Sequence, residues 1–159
     1  MLLGIMSGGQ PGIGADYTVI ESITIASKGN STRFGEKDGL GLMSGTSNAT
    51  RGIFAGGTTV PTLNGVKTID FVTIASDGNA INFGDLTEQT YRFCAMGSQT
   101  RAVFAHGTTG PGGGSALSSM DYITIASQGD AIDFGDKNDD TREYADGGCS
   151  DSHGGLGGF

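Results

Sequence analysis

The chain has 159 residues, of which 30 are Gly, 3 are Pro and none is Trp. This composition excludes a collagen, which needs Gly at every third position and abundant Pro, and the clustered β-branched runs argue against a disordered linker. The formal net charge of −8 argues against nucleic acid or an anionic membrane as a partner. No apolar stretch reaches the roughly 18 residues of a membrane span, so we also expect no membrane insertion.

An internal repeat organises the chain. A predicted extra strand at 3–9 comes first, and three repeats of about 50 residues follow, at about 10–57, 58–107 and 108–159. We expect these repeats to form a single domain, because roughly 100 to 200 residues is the usual size of one.

Each repeat predicts four short strands. The first carries the phrase Ile-Thr-Ile-Ala-Ser-x-Gly or its Val variant, at Ile23–Gly29, Val72–Gly78 and Ile123–Gly129. The second ends at an aromatic-Gly-acid group, at Phe34–Glu36, Phe83–Asp85 and Phe134–Asp136. The third is less regular, at about 40–46, 91–98 and 143–150, and the fourth closes on Gly-Gly or His-Gly, at Arg51–Gly57 and Arg101–Gly107. The alternation of apolar and polar residues suits a sheet with one buried face, and no segment has a helical period, so the predicted fold class is all-β.

The loop after each Gly-Gly strand varies while the strands stay constant. Its first three copies hold the prolines of the chain, Pro11, Pro61 and Pro111, at one phase of the repeat. Variable loops on a constant scaffold are typical of a recognition surface. Pro61, Asn64 and Pro111 are therefore candidate interaction residues.

Four strands in about 50 residues, with a double glycine closing one strand, are typical of a kelch propeller blade. The chain resembles kelch repeats in that Gly-Gly end, in the Asp70–Ser76 strand where kelch has its tyrosine strand, and in the turn before an aromatic residue. It departs from them in having Phe34, Phe83 and Phe134 near the place of the usual Trp. The amino-acid pattern of the repeat is also similar to that of glycine-rich kelch-like repeats in structural proteins of tailed phages. That resemblance implies a virion setting, as a tail-fibre or decoration component.

Three blades are fewer than the 4 to 8 of known propellers, so we expect something to complete the ring. Fainter copies of the Gly-Gly strand are predicted at both chain ends, at Leu3–Gly9 and His153–Phe159. They leave the terminal blades incomplete, and exposed edges invite pairing with another chain. We therefore expect a homo-oligomer, with two chains in a six-bladed ring as the simplest closure, or a filament if head-to-tail pairing does not close. The alternative is a monomer with internal threefold symmetry, a β-prism or β-trefoil. Since glycine-rich β-prisms are often lectins, that alternative implies carbohydrate binding.

Residues suited to catalysis are sparse. The two histidines, His106 and His153, stand at positions that other repeats fill with Gly or Arg, which identifies them as repeat variants. The sequence contains no Gly-x-Ser-x-Gly, Cys-x-x-Cys or His-Glu-x-x-His motif. We expect no enzymatic activity and no cofactor.

One acidic loop is a weak candidate for Ca²⁺. Asp136, Asn138 and Asp140 alternate there and offer oxygen ligands. The loop lacks the later Gly and Glu of an EF-hand, so a solvated acidic loop is the competing interpretation.

Two arginines, Arg51 and Arg101, share one phase of the repeat. Such residues usually pair with a carboxylate of the neighbouring blade, here Asp85 or Asp136. The functional interpretation is a ring of guanidinium groups that holds an acidic partner.

The predicted function is that of a non-enzymatic virion structural protein on the surface of an extracellular particle. Its partners would be copies of itself and other virion proteins. A lectin-like module that recognises a host-surface glycan is the alternative.

Overall fold

The computed structural model describes residues 3–8, 18–59, 62, 64–110, 114–138 and 147–150. Within these ranges the fold is all-β, as predicted, and no helix is present that could cross a membrane. The strands are β1 (Leu3–Ser7), β2 (Val19–Thr24), β3 (Thr32–Glu36), β4 (Ser44–Ser47), β5 (Arg51–Ala55), β6 (Val66–Thr73), β7 (Ile81–Thr90), β8 (Cys94–Gly97), β9 (Arg101–Ala105), β10 (Ser119–Thr124) and β11 (Ile132–Asp136).

The strands form three antiparallel sheets in chain order. The first sheet has the order β1-β2-β3, the second β4-β5-β6-β7 and the third β8-β9-β10-β11. Each sheet is a meander, since every strand pairs with the next strand along the chain. The four-stranded sheets each combine the third and fourth strands of one sequence repeat with the first and second strands of the following one. Each four-stranded sheet therefore spans the boundary between two consecutive repeats.

Several strands differ in length from the sequence prediction. β2, β6 and β10 stop at Thr24, Thr73 and Thr124, so the Ala-Ser part of the repeated phrase already lies in the turn. β7 continues to Thr90, past the aromatic-Gly-acid group at which we expected it to end.

The aromatic-Gly pair forms a β-bulge in every sheet. Ile20 pairs with Gly35 while Glu21 pairs with Arg33, so Phe34 is the extra residue. The same irregularity recurs in the other two sheets, at Phe83 and Phe134. A bulge bends its strand and re-aims the local side chain, and the repeated phrase thus encodes a bend rather than a simple strand end.

Apolar side chains fill two layers between the sheets. We call the face of a sheet that points to the following sheet its forward face, and the opposite one its backward face. The first core joins the forward face of the first sheet to the backward face of the second, through Ile20, Phe34, Phe54 and Val72. The second core joins the second sheet to the third and is larger, with Ile53, Ala55, Ile69, Phe71, Phe83, Leu86, Phe93, Ala95, Ala102, Phe104, Ile123, Ile125 and Ala131.

The second sheet is consequently buried on both faces, which corrects the expectation of one buried face. Phe71 and Val72 are neighbours on β6 and point to opposite sides, yet they are 6% and 2% exposed. Alternation along this strand therefore separates two cores instead of a core from solvent.

Backbone hydrogen bonds join consecutive sheets at equivalent positions. In the first junction, Gly78 N donates to Phe34 O at 2.9 Å and Ala80 N donates to Glu36 O at 2.7 Å. The side chain of Asn79 adds a third bond, since its Oδ1 accepts from Glu36 N at 3.0 Å. The turn after β6 thus pairs with the outer strand of the preceding sheet.

The second junction repeats this pattern one sheet further along. Gly129 N donates to Phe83 O at 2.9 Å and Ala131 N donates to Asp85 O at 2.8 Å. Asp130 Oδ1 accepts from Asp85 N at 3.0 Å, in the place of the Asn79 amide. The chain therefore forms one kind of junction twice, with the same atoms.

Candidate functional site

Three carboxylates occupy one equivalent position on the central strands. Glu21, Asp70 and Asp121 follow the residues opposite the bulge glycines on β2, β6 and β10. Asp70 is 6% exposed and Asp121 is fully buried, whereas Glu21 is only half-buried. A buried carboxylate needs hydrogen bonds or an opposite charge, so each junction must supply them.

At the second junction, Thr87 satisfies Asp121. Thr87 N donates to Asp121 Oδ2 at 2.7 Å, and Thr87 Oγ1 donates to Oδ1 at 2.7 Å. The imidazole of His106 lies on the other side, with Nε2 3.1 Å from Oδ2. This contact does not have the geometry of a hydrogen bond, so Nε2 has no hydrogen-bond partner among the described residues.

Ser119 completes a group with the composition of a catalytic triad. Its Oγ lies 3.4 Å from Nδ1 of His106, while Asp121 lies on the Nε2 side. His106 and Asp121 are fully buried, so the imidazole has no atom accessible to solvent. In this structure the group serves as a polar network inside the protein, between β7, β9 and β10.

The environment of Asp121 favours its ionised form. Burial raises the pKa of its carboxyl, but the contacts of His106 and the two hydrogen bonds from Thr87 outweigh that effect. The net result is a pKa below the ordinary value of 3.8.

At the first junction, Asp70 faces Lys37 and Asp38 instead. Burial and the Asp38 charge raise the pKa of Asp70, and Lys37 offsets only part of this. Burial also lowers the pKa of Lys37 to about 8, and its Nζ donates to the carbonyl oxygens of Asp38 and Leu40 at 2.9 Å. An open cavity of about 400 Å³ is lined by Lys37, Asp38 and Asp70, together with Glu36, Asn79, Ala80 and Asn82.

The two candidate arginines contact aromatic rings. The guanidinium carbon of Arg51 lies 4.6 Å from the centre of the Phe71 ring, and that of Arg101 lies 4.8 Å from the centre of the Tyr122 ring. Arg51 Nη1 also donates to Ile125 O of the following sheet at 2.6 Å. Among the described residues neither arginine forms the expected ion pair with Asp85 or Asp136. The shared phase therefore reflects cation–π stacking and a bond across the junction.

The variable loops have matched bases. Thr58 bridges to Gly65, and Thr108 bridges to Ala116 in the equivalent place. Asn64 is exposed in the first of these loops, and its carbonyl accepts from Thr59 N at 3.2 Å. Pro61 and Pro111, the other loop candidates, lie outside the described residues, as does Pro11.

The candidate Ca²⁺ ligands are placed only in part. Asp136 and Asn138 are exposed, and Asp136 Oδ1 accepts from Ser118 Oγ at 3.2 Å. Asp140 lies outside the described residues. Across the part of the chain that is described, no three His, Cys, Asp or Glu side chains are grouped to hold a metal ion.

Sequence reasoning missed the junction carboxylates. A signal was present, because an acid stands two residues before each copy of the Ile-Thr-Ile-Ala-Ser phrase or its Val variant, at Glu21, Asp70 and Asp121. Thr87 carries no such signal, since the equivalent residue of the first repeat is Asp38. No protein-family model and no curated protein matches the chain, so the assignment of a role rests on geometry.

Proposed function

We propose that the protein is a non-enzymatic structural component of a tailed-phage virion, of the fibre or decoration type. The observation that carries this proposal is the stack of sheets joined by the same backbone bonds at successive junctions. Such a stack is a rigid support for variable loops. Its partners are copies of itself and other virion proteins, on the surface of the particle.

The sheets act as propeller blades of the kelch type in this proposal. Each four-stranded sheet is a meander, and consecutive sheets pack face to face across an apolar layer. The first strands of the two complete sheets, β4 and β8, also lie side by side. These features support blades that share a common axis more than they support a β-prism or β-trefoil.

A structural role also accounts for the polar groups. The imidazole and carboxylate with the most suggestive chemistry, His106 and Asp121, are fully buried, and Asp121 accepts its hydrogen bonds from Thr87. Catalysis requires a group that a substrate can reach.

The test is detection of the chain in purified phage particles by mass spectrometry. We expect many copies per particle, retained after washing at high salt. Particles that lack the chain, although the gene is expressed in the infected cells, would contradict a virion role.

A lectin-like recognition module is the second candidate, and the exposed Asn64 on a loop with a closed base favours it. Asn side chains in such loops can hydrogen-bond sugar hydroxyls. A glycan array probed with the purified chain tests it: binding that Asn64→Ala abolishes would favour the lectin, and an empty array would favour architecture.

A further inference from the structure

The backward face of the first sheet exposes apolar side chains that its counterparts bury. Met6 is 42% exposed, whereas the equivalent Phe54 and Phe104 are 8% and 0% exposed. Ile25 is 62% exposed, whereas Ile125 at the same phase is fully buried. In the other sheets the preceding sheet covers these positions, fully except at Ile74, which is half-buried.

The forward face of the third sheet shows the complementary pattern. Phe134 is 48% exposed, while the equivalent Phe34 and Phe83 are each 3% exposed. Its neighbours Met120 and Tyr122 are half-buried on the same face. In the first two sheets this face is covered by the sheet that follows.

Backbone groups are available at the same two places. At the formed junctions, a Cβ on Gly35 or Gly84 would collide with the carbonyl of the turn that docks there, but a Cβ on Gly135 would meet nothing within 4 Å. The turn of the first repeat offers Gly29 N, and among the described residues it has no partner like the one that Gly78 N and Gly129 N find. The donor and the acceptor strand therefore both exist in this chain, at opposite ends of the stack.

Charges at these two places are complementary. At the first junction Lys37, directly after the aromatic-Gly-acid group, faces Asp70 of the next sheet. The residue equivalent to Lys37 in the third sheet is Lys137, and the residue equivalent to Asp70 in the first sheet is Glu21. Stacking the first sheet on the third would set Glu21 against Lys137.

Arg101 is placed to make the contact of Arg51 with a second copy of the chain. Arg51 stacks on Phe71 and donates to Ile125 O across the second junction. Arg101 stacks on Tyr122 in the same way, and Ile25 of a following first sheet would present the corresponding carbonyl.

We propose that two copies of this chain associate head to tail, with the forward face of the third sheet of one copy covered by the backward face of the first sheet of the next. The turn at 29–31 docks on β11 through the backbone bonds that turns 78–80 and 129–131 form within the chain. This deepens the proposed function, on which it rests for the requirement that the protein self-associates. The occupant is a second copy because the chain itself carries both halves of a junction that it already makes twice.

The first strand of the first sheet fits this arrangement. The second and third sheets each begin with a strand ahead of β5 or β9, whereas β1 has no described strand on that side. A groove of about 450 Å³ runs between β1 and β4 instead. Residues 147–150 lie against β8, where Ser150 Oγ donates to Gly97 O at 2.5 Å. In the assembly this segment of one copy would enter the groove of the next and pair with β1.

The first experiment compares two serine substitutions on β11 by light scattering at micromolar concentration. Phe134→Ser should reduce the mass of the assembly to the 16.1 kDa of one chain, with a dissociation constant about 10-fold or more higher. Ile132→Ser is the matched control. Ile132 is 59% exposed, and the equivalent Ile81 stays 58% exposed although its junction is formed. The control should therefore assemble like the unmodified protein.

A mixing experiment then tests the polarity of the contact. Ile25→Ser damages the backward face and Phe134→Ser the forward face, so each variant alone should be monomeric. Mixed in equal amounts, they should form a 1:1 complex, because one intact face of each kind remains. A face-to-face twofold contact between identical surfaces would not give this complex.

The outcomes separate the inference from the proposed function. An unmodified chain that self-associates but keeps its mass with Phe134→Ser, or variants that fail to complement when mixed, would overturn the inference and leave the structural role standing. An unmodified chain that is monomeric in light scattering overturns the inference as well. The virion role fails independently, by absence of the chain from purified particles. Circular dichroism of both variants, unchanged from the unmodified chain, excludes misfolding as the cause of a monomer.

Discussion

Asp70 and Asp121 occupy the same position of the repeat but have opposite electrostatic environments. Asp121 accepts two hydrogen bonds from Thr87 and lies beside His106, which together lower its pKa. Asp70 is buried near Asp38, and its pKa is raised. Residues at equivalent positions of the repeat differ between these environments: Asp38 of the first junction is replaced by Thr87 in the second, and Gly56 is replaced by His106.

Neutralising these two carboxylates should therefore have opposite effects. Asp121→Asn should lower the free energy of unfolding by about 2 kcal/mol, because hydrogen bonds to a buried charge are lost. Asp70→Asn should raise it slightly at pH 7, because the charged form that burial disfavours is removed. Urea unfolding of the two variants beside the unmodified protein measures both changes.

The dependence on pH follows from the same shifts. Asp121 stabilises the fold above its ordinary pKa of 3.8, and this contribution is lost as the pH falls through its lower folded value. Asp70 destabilises the fold while ionised, so the advantage of Asp70→Asn should shrink as the pH falls through the raised pKa of Asp70. An advantage that stays constant from pH 7 to 3 would contradict this account of Asp70.

At the scale of the strand, the bulge glycines mark where one sheet meets the next. A Cβ on Gly84 would collide with the carbonyl oxygen and the carbonyl carbon of Gly129. These are backbone atoms, which cannot move aside as a flexible side chain can. Gly135 is the bulge glycine of the third sheet, but a Cβ there would meet no atom within 4 Å. The pair therefore separates the effect of the junction from that of the bulge itself.

Gly84→Ala should destabilise the protein by about 2 kcal/mol more than Gly135→Ala does, because only the first substitution overpacks a formed junction. Both positions have a positive φ, of 158° and 126°, so the cost of an L-residue in that conformation is common to both. Thermal unfolding of dilute samples, in which chains are not associated, provides the comparison. Equal losses of stability would show that the turn does not press on Gly84.

The repeated phrases predicted the strands but could not group them into sheets. Strands of one type recur in each repeat, so the sequence is equally compatible with sheets cut at the repeat boundary or across it. The choice depends on which neighbours pair in space, as β5 does with β6 across the loop at 56–65. The alternation at Met120–Tyr122 was also ambiguous, because a polar residue at every second position suggests a solvent face. Here that face is covered, and Asp121 is buried by the second sheet.

The candidate site was predictable only in part for the same reason. Arg51 and Arg101 were identified by their shared phase. Their partners are aromatic rings and, for Arg51, also a backbone carbonyl, which periodicity does not reveal. The contacts of the polar network around Asp121 join residues 13 to 34 positions apart, on β7, on β10 and directly after β9. Contacts of that kind depend on register and on bulges, which local sequence patterns specify weakly.

At the scale of the whole molecule, the structure is a stack with two unlike end faces. The interior sheet has both faces covered, whereas each outer sheet has one face that retains exposed apolar residues, Met6 and Ile25 at one end and Phe134 at the other. Exposed apolar patches on a monomer are typical of surfaces that bind another protein. Association should then contribute to stability.

The midpoint of thermal unfolding should rise with protein concentration, because a partner that binds only the folded chain stabilises it by mass action. A tenfold increase should shift Tm upward by about 2 °C or more. Phe134→Ser should remove this dependence, and Ile132→Ser should preserve it. A midpoint that is independent of concentration in the unmodified chain would contradict a stabilising association.

The meander order of the strands has a consequence for folding during synthesis. All strand pairs within a sheet are neighbours along the chain, so each sheet can form as soon as its own residues have left the ribosome. The forward face of a finished sheet is then a template on which the next one condenses. The two surfaces needed for head-to-tail contact belong to the first and the last of the described sheets. In the proposed head-to-tail assembly, the forward face of the third sheet is therefore the last of these surfaces to become available, because it forms only when β11 has been synthesised.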